Sequence, residues 1–135
     1  MEHRSPAGRS SPSQRRGQTF TGEVWADVLL PTTGDGVSVN GVFFTAGAHS
    51  FWHAHERGQL LLARHGLGVV CAEHQPVVLL TEGTVAWAPA GERHWHGALP
   101  SNSLLHVAVS LGSTEWMEEV SDDDYERACG EALQR

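Results

Sequence analysis

The punctuation of this chain constrains its fold more than any other feature. From Thr19 to Leu111, apolar runs last about five residues at most before Gly, Pro, Asn or a polar cluster cuts them. Runs this short cannot supply the ~20 apolar residues of a membrane-spanning helix. They suit strands, and strands divided by closely spaced turn signals predict an all-β sandwich or barrel. Strands are expected at 23–30, 37–46, 51–55, 59–65, 67–74, 76–80, 84–88, 94–97 and 103–111. The breaks fall at Thr32–Gly36, Gly47, Glu56–Gly58, Gly66, Glu82–Gly83 and Pro89–Gly91.

At 135 residues the chain is expected to form one domain. Residues 1–18 are Ser, Pro, Arg, Gly and Gln with little that is apolar, and are expected to be a disordered tail. Residues 19–120 are expected to make the barrel, and 121–135 a short C-terminal helix and tail. Ser121 followed by Asp122, Asp123 and Asp124 is a helix start, with a hydroxyl N-cap and acids in the first turn. Trp116 and Val120, just before it, are expected to pack on the barrel.

The net charge is −7, with 16 acids against nine Lys and Arg. Residues 1–18 carry four arginines and one glutamate, whereas residues 115–135 carry eight acids and two arginines. An acidic body argues against a nucleic-acid partner. The chain has no lysine, which excludes Schiff-base chemistry. Cys71 and Cys129 sit in no motif. No apolar signal segment opens the chain, so a cytoplasmic location without membrane association is expected.

Histidine is the outlier, with nine residues. His53 and His55 are two apart in an extended segment, so both side chains point to one face, about 7 Å apart by strand rise. Gln59 follows the Glu56–Gly58 connection, which is expected to fold its strand back beside the first. His94 follows the Pro89–Gly91 turn. Three neutral imidazoles and an amide oxygen would leave a divalent metal with open positions for water or substrate.

These residues occur within a specific frame. Gly47, His53-Ala54-His55, Gln59 and Gly66 resemble the first cupin motif, with Gln59 where glutamate is usual. Gly83, Pro89-Ala90-Gly91 and His94 resemble the second, with Ala98 where asparagine ends the pattern. Phe20-Thr21-Gly22, the run from Pro89 to Ala98, His106 and the run from Trp116 to Asp122 are similar to small bacterial cupins that include manganese-dependent hydroxynitrile lyases. The resemblance covers roughly residues 19–125. It implies a cupin double-stranded β-helix, a jelly-roll barrel, with His53, His55, Gln59 and His94 as metal ligands. Mn(II) is the expected ion, with Fe(II), Ni(II) or Zn(II) as alternatives.

A site with Gln59 in place of a carboxylate is one negative charge lighter and favours an anionic ligand or a polarised hydroxyl. In 103–111, Leu104, His106, Ala108 and Ser110 share one face. If that face lines the lumen, His106 is a candidate general base, and the resemblance implies that it takes the proton of a cyanohydrin hydroxyl. Asn40, Val42 and Phe44 share a face and are expected to line the pocket mouth as substrate-binding residues. His96, two beyond His94, is expected beside the substrate rather than on the metal, and His49 at the rim. Trp52, Trp87 and Trp95 are expected to pack in the core, and His3, His65 and His74 to lie at the surface. The expected function is a metal-dependent cupin acting on a small molecule as a lyase. The alternatives are a quercetinase-like dioxygenase and a non-catalytic ligand-binding cupin. Edge strands make a homo-oligomer, dimer or tetramer, an expectation.

Overall fold

The computed structural model describes residues 1–5 and 13–134. Among the described residues, thirteen strands precede one helix. They are β1 (Gln14–Arg16), β2 (Phe20–Thr21), β3 (Val24–Leu30), β4 (Val37–Phe44), β5 (His49–Ser50), β6 (His53–His55), β7 (Gln59–Gly66), β8 (Gly68–Ala72), β9 (Val78–Leu80), β10 (Val85–Ala88), β11 (His94–Ala98), β12 (Leu104–Leu111) and β13 (Thr114–Trp116). The helix α1 spans Asp122–Leu133. One antiparallel sheet has the order β1-β3-β4-β12-β7-β10. The other runs β13-β6-β11-β5-β2, with β8 on β11 and β9 on β8. This is the all-β architecture expected from the turn spacing, arranged as the jelly roll that the cupin resemblance implies.

Alternation decides which side chains meet between the sheets. Along β12, Leu104, His106, Ala108 and Ser110 are buried, while the intervening residues are half-buried. Phe44, Leu61, Leu80 and Leu104 are at most 1% exposed in the inter-sheet core. Each contributes roughly 1.5–3 kcal/mol by leaving water. The motif glycine Gly66 has φ +85, and a Cβ there would lie 1.9 Å from the Ser103 carbonyl oxygen. Only glycine serves such a turn.

The helix seals the outer face of the second sheet. Ser121 caps it, its hydroxyl accepting from the Asp124 N–H at 3.1 Å. Tyr125, Ala128, Cys129 and Ala132 pack against Trp52, Val69, Trp95 and Leu99. The Tyr125 hydroxyl donates to the Ala98 carbonyl at 2.7 Å, tying helix to sheet. No helix among the described residues is long and apolar enough to cross a membrane.

Several expectations change. Gln14–Arg16 are a strand paired with Val24–Ala26, although they fall inside the expected disordered tail. Backbone pairing needs no apolar side chains, which is why composition hides it. Residues 6–12 of that tail, and Arg135, lie outside the described residues. The expected strand 51–55 starts at β6, after a break from β5. Most importantly, β7 does not fold back beside β6. Gly58, at φ +104, lets the chain cross to the opposite sheet, so Gln59 faces His53 and His55 across the lumen.

Candidate metal centre

The site is built from both sheets. His53 on β6 is in register with His94 on β11, and their ring centroids are 4.4 Å apart. His55 lies 5.1 Å from His53 and 5.5 Å from His94 by ring centroid. His96 shares the His94 face of β11, 5.1 Å from His53. From the opposite sheet come Gln59 and Ser110, register partners on β7 and β12, together with His106.

Local hydrogen bonds set the tautomers. A carbonyl oxygen accepts only, so His53 Nδ1–H donates to Phe51 at 2.8 Å and His94 Nδ1–H donates to Glu92 at 2.9 Å. The Nε2 atom of each therefore carries a lone pair into the lumen. Gln59 is held by its amide nitrogen, which donates to Ser110 Oγ at 3.0 Å. Its Oε1 then faces His94 Nε2 at 3.1 Å. His55 Nδ1 lies 3.0 Å from the Thr114 hydroxyl. One nitrogen from each of His53, His94 and His96 lies within 4.8 Å of the others, all three residues being buried.

Burial keeps these rings neutral. Desolvation, then the neighbouring His94, pushes His53 down to about 3. The same two causes bring His55 to about 4, with Gln59 opposing them. Desolvation also lowers His94 and His96, and takes His106 to about 4.

The residues present fit a divalent metal. His94 Nε2 and Gln59 Oε1 face each other at 3.1 Å, an arrangement that a shared cation satisfies. Burial disfavours a charging proton on His94 in its place. His53, His94 and His96 bring one nitrogen each close enough to hold an ion, a set that replaces the expected His55 with His96, and His55 and Gln59 lie beside them. Hydrogen bonds to the Phe51 and Glu92 carbonyls and to Ser110 Oγ, and the bond between His55 and Thr114, orient these side chains, the usual support for metal-bound histidine.

A cavity of about 270 Å³ opens onto the cluster. Asn40, Val42, His53, His55, Gln59 and His96 are in its wall, as are Ser110, Thr114, Trp116 and Arg16. Phe44 is not in that wall. It is fully buried, its ring 5.1 Å from His106 and 5.8 Å from His96, and supports both from behind. His106 is also fully buried outside the wall, and its Nε2 meets His96 Nδ1 at 3.0 Å. It therefore reaches the cavity through His96 and not directly.

His49 is not at the rim. It is 3% exposed and stacks on Tyr125 at 4.2 Å beneath the helix. Trp52 and Trp95 are core residues as expected, but Trp87 is 53% exposed. It lines a separate cavity of about 440 Å³ with Val78 and Val85, which also touches His94. His3, His65 and His74 are exposed. Sequence reasoning missed Thr114, Trp116 and Arg16 as site residues, because their strands are only three residues long. Ser110 was legible, since it shares the inward face of β12 with His106.

No model of a known protein family matches the chain. A cupin-like protein of Thermotoga maritima, known from its crystal structure, superposes with a TM-score of 0.82 at 31% identity, covering 89% of this chain and 96% of that one. The polyketide cyclase RemF of Streptomyces resistomycificus shares the fold at a TM-score of 0.68 and 16% identity, covering 93% of this chain and 91% of its own. The (R)-mandelonitrile lyase of Granulicella tundricola is 37% identical over an alignment of 116 residues, with 80% of this chain and 86% of the relative covered. The chain belongs to the family of small cupins that contains this lyase.

Proposed function

We propose that the protein is a metal-dependent lyase that cleaves and forms cyanohydrins, with Mn(II) held by His53, His55, Gln59 and His94. Fe(II), Ni(II) and Zn(II) are the alternatives, since imidazole donors suit each of them. The observation that carries the reading is the convergence of the buried His53, His94 and His96 nitrogens within 4.8 Å, with Gln59 Oε1 3.1 Å from His94 Nε2, behind a small cavity lined by His53, Gln59 and His96. The kinship with a mandelonitrile lyase supports the reaction class. When bound, the ion supplies Lewis acidity that polarises a hydroxyl or carbonyl oxygen.

The chain's own residues handle the proton. His96 Nε2 is buried without a hydrogen-bond partner beside the cavity. It accepts the substrate hydroxyl proton while His96 Nδ1–H donates to His106 Nε2. His106 thus acts through His96, fixing its tautomer and accepting charge from it. Asn40 offers an amide at the cavity wall to orient the substrate, and Val42 bounds its apolar side. The walls admit a molecule of few heavy atoms.

Purified protein assayed with mandelonitrile is expected to release aldehyde and cyanide in proportion to its metal content. His106→Ala is expected to lose about 10²-fold or more in turnover, because His96, which takes the proton, loses the partner that fixes its tautomer, with metal retained. His106→Gln repeats the test in a variant that refills the volume. A metal-loaded protein without cyanohydrin turnover would remove the lyase reading. Metal-dependent oxygen uptake would replace it with a dioxygenase.

A further inference from the structure

The cavity wall contains one formally charged side chain, and it comes from the segment that composition assigns to the tail. β1 pairs with β3 so that Arg16 is opposite Val24 and Gln14 opposite Ala26. Cross-strand partners project to the same face of a sheet. Val24 and Ala26 face the interior, so Arg16 is turned inward with them. It is half-buried, whereas Arg15 beside it is exposed.

Arg16 has no counter-ion there. None of the residues lining the cavity is Asp or Glu, although the chain carries 16 acids. The polar groups on the wall are Thr32, Ser38, Asn40, Gln59, Ser110 and Thr114, all neutral, together with the buried histidines. Among the described residues Arg16 makes no ion pair. By contrast, Arg93 and Arg127 each have a carboxylate partner. A partly desolvated guanidinium without an anion is an unfilled donor set, and its planar fork matches a carboxylate in bidentate fashion.

We propose, on the reading of this cavity as the substrate site, that Arg16 anchors the carboxylate of a small anionic substrate. The native ligand class is then a hydroxyl- or carbonyl-bearing carboxylic acid. Its reacting oxygen lies toward the histidines and Gln59, and its carboxylate lies toward β1. The neutral donor set of the metal centre adds no negative charge to oppose such a ligand. Trp116 and Phe20 supply apolar contact between the two ends.

The test uses metal-loaded protein and two probes of the same shape, 4-(hydroxymethyl)benzoate and 4-(hydroxymethyl)benzamide. Binding is read by calorimetry. The wild-type protein is expected to prefer the carboxylate by about tenfold or more, as a charge-assisted hydrogen bond provides. Arg16→Gln is expected to abolish that preference and leave the amide affinity in place. Arg16→Lys is expected to retain part of it, because an ammonium keeps the charge but lacks the fork. A preference that survives Arg16→Gln would overturn the proposal, since the carboxylate would then be held elsewhere. Equal loss of both probes would also overturn it, because Arg16 would then act only by holding β1 in place. No turnover is read. Arg16-dependent carboxylate binding without mandelonitrile cleavage would therefore retire the lyase reading while keeping this one.

Discussion

His49 and His53 form the same local bond and reach opposite ends. Each donates Nδ1–H to the carbonyl two residues earlier, His49 to Gly47 at 2.9 Å and His53 to Phe51 at 2.8 Å. Each is almost fully buried. Yet His53 turns its Nε2 into a lumen shared with His94 and His96, whereas His49 lies flat on Tyr125, its Nε2 without a partner. A locked tautomer makes an imidazole available as a ligand. A site requires in addition that several lone pairs converge, which depends on strand pairing. His53 has His94 as its cross-strand partner, whereas His49 belongs to a strand whose partner on β11 is Gly97. A Cβ at Gly97 would lie 2.3 Å from the His49 Cβ, so the absent side chain makes room for the stacked ring.

The largest expected effect separates these two histidines. His53→Ala should abolish turnover, exceeding the roughly 10–100-fold cost of losing an outer hydrogen-bond partner of a metal ligand. His49→Ala should instead lower stability by about 2–4 kcal/mol, as loss of a buried ring packed on Tyr125 and Trp95 leaves a void beneath the helix. Its turnover per folded molecule should stay near the original. Chemical denaturation and initial rates on both variants check the pair, and an exchange of the two phenotypes would break the comparison.

Acid should reveal the shared cost of burial. His53, His55 and His106 are held near 3, 4 and 4 respectively in the folded protein, below the ordinary value of 6.5. Above pH 6.5 neither folded nor unfolded chain binds these protons, so stability is level. As pH falls below 6.5 the unfolded chain takes them up first, and stability declines until the folded values are reached. By pH 5 each group should cost about 2 kcal/mol in the metal-free protein. Urea midpoints between pH 7 and 5 check this, and a flat profile would show that the rings protonate while folded.

A smaller effect sharpens the boundary of the site. Thr114→Val removes the hydroxyl 3.0 Å from His55 Nδ1 and should weaken metal affinity by roughly 10–100-fold without unfolding the protein. Competition with a chelator of known affinity measures it.

How much of this is legible in the sequence follows from the range of each interaction. The inward set of β12 could be read from alternation alone, because residues i and i+2 share a face whatever the tertiary context. The turns at Gly47, Gly66, Gly83 and Gly91 were legible too, and all four glycines have positive φ. The crossing of β7 was not, since Glu56–Gly58 reads equally well as a hairpin or a change of sheet. By the route observed, Gln59 Oε1 lies 3.1 Å from His94 Nε2. His49 was misplaced because its surroundings depend on where Tyr125 docks, more than 70 residues away in sequence. β1 and β13 were hidden because three polar or mixed residues carry no apolar period, yet they bring Arg16, Thr114 and Trp116 to the cavity.

The most direct test of the central claim is the metal content of the purified protein, measured by mass spectrometry beside the His49→Ala and His53→Ala variants. The account predicts about one equivalent of a divalent transition metal in the wild type and in His49→Ala, and a loss of metal in His53→Ala. Metal that persists in His53→Ala, or that disappears with His49, would contradict it.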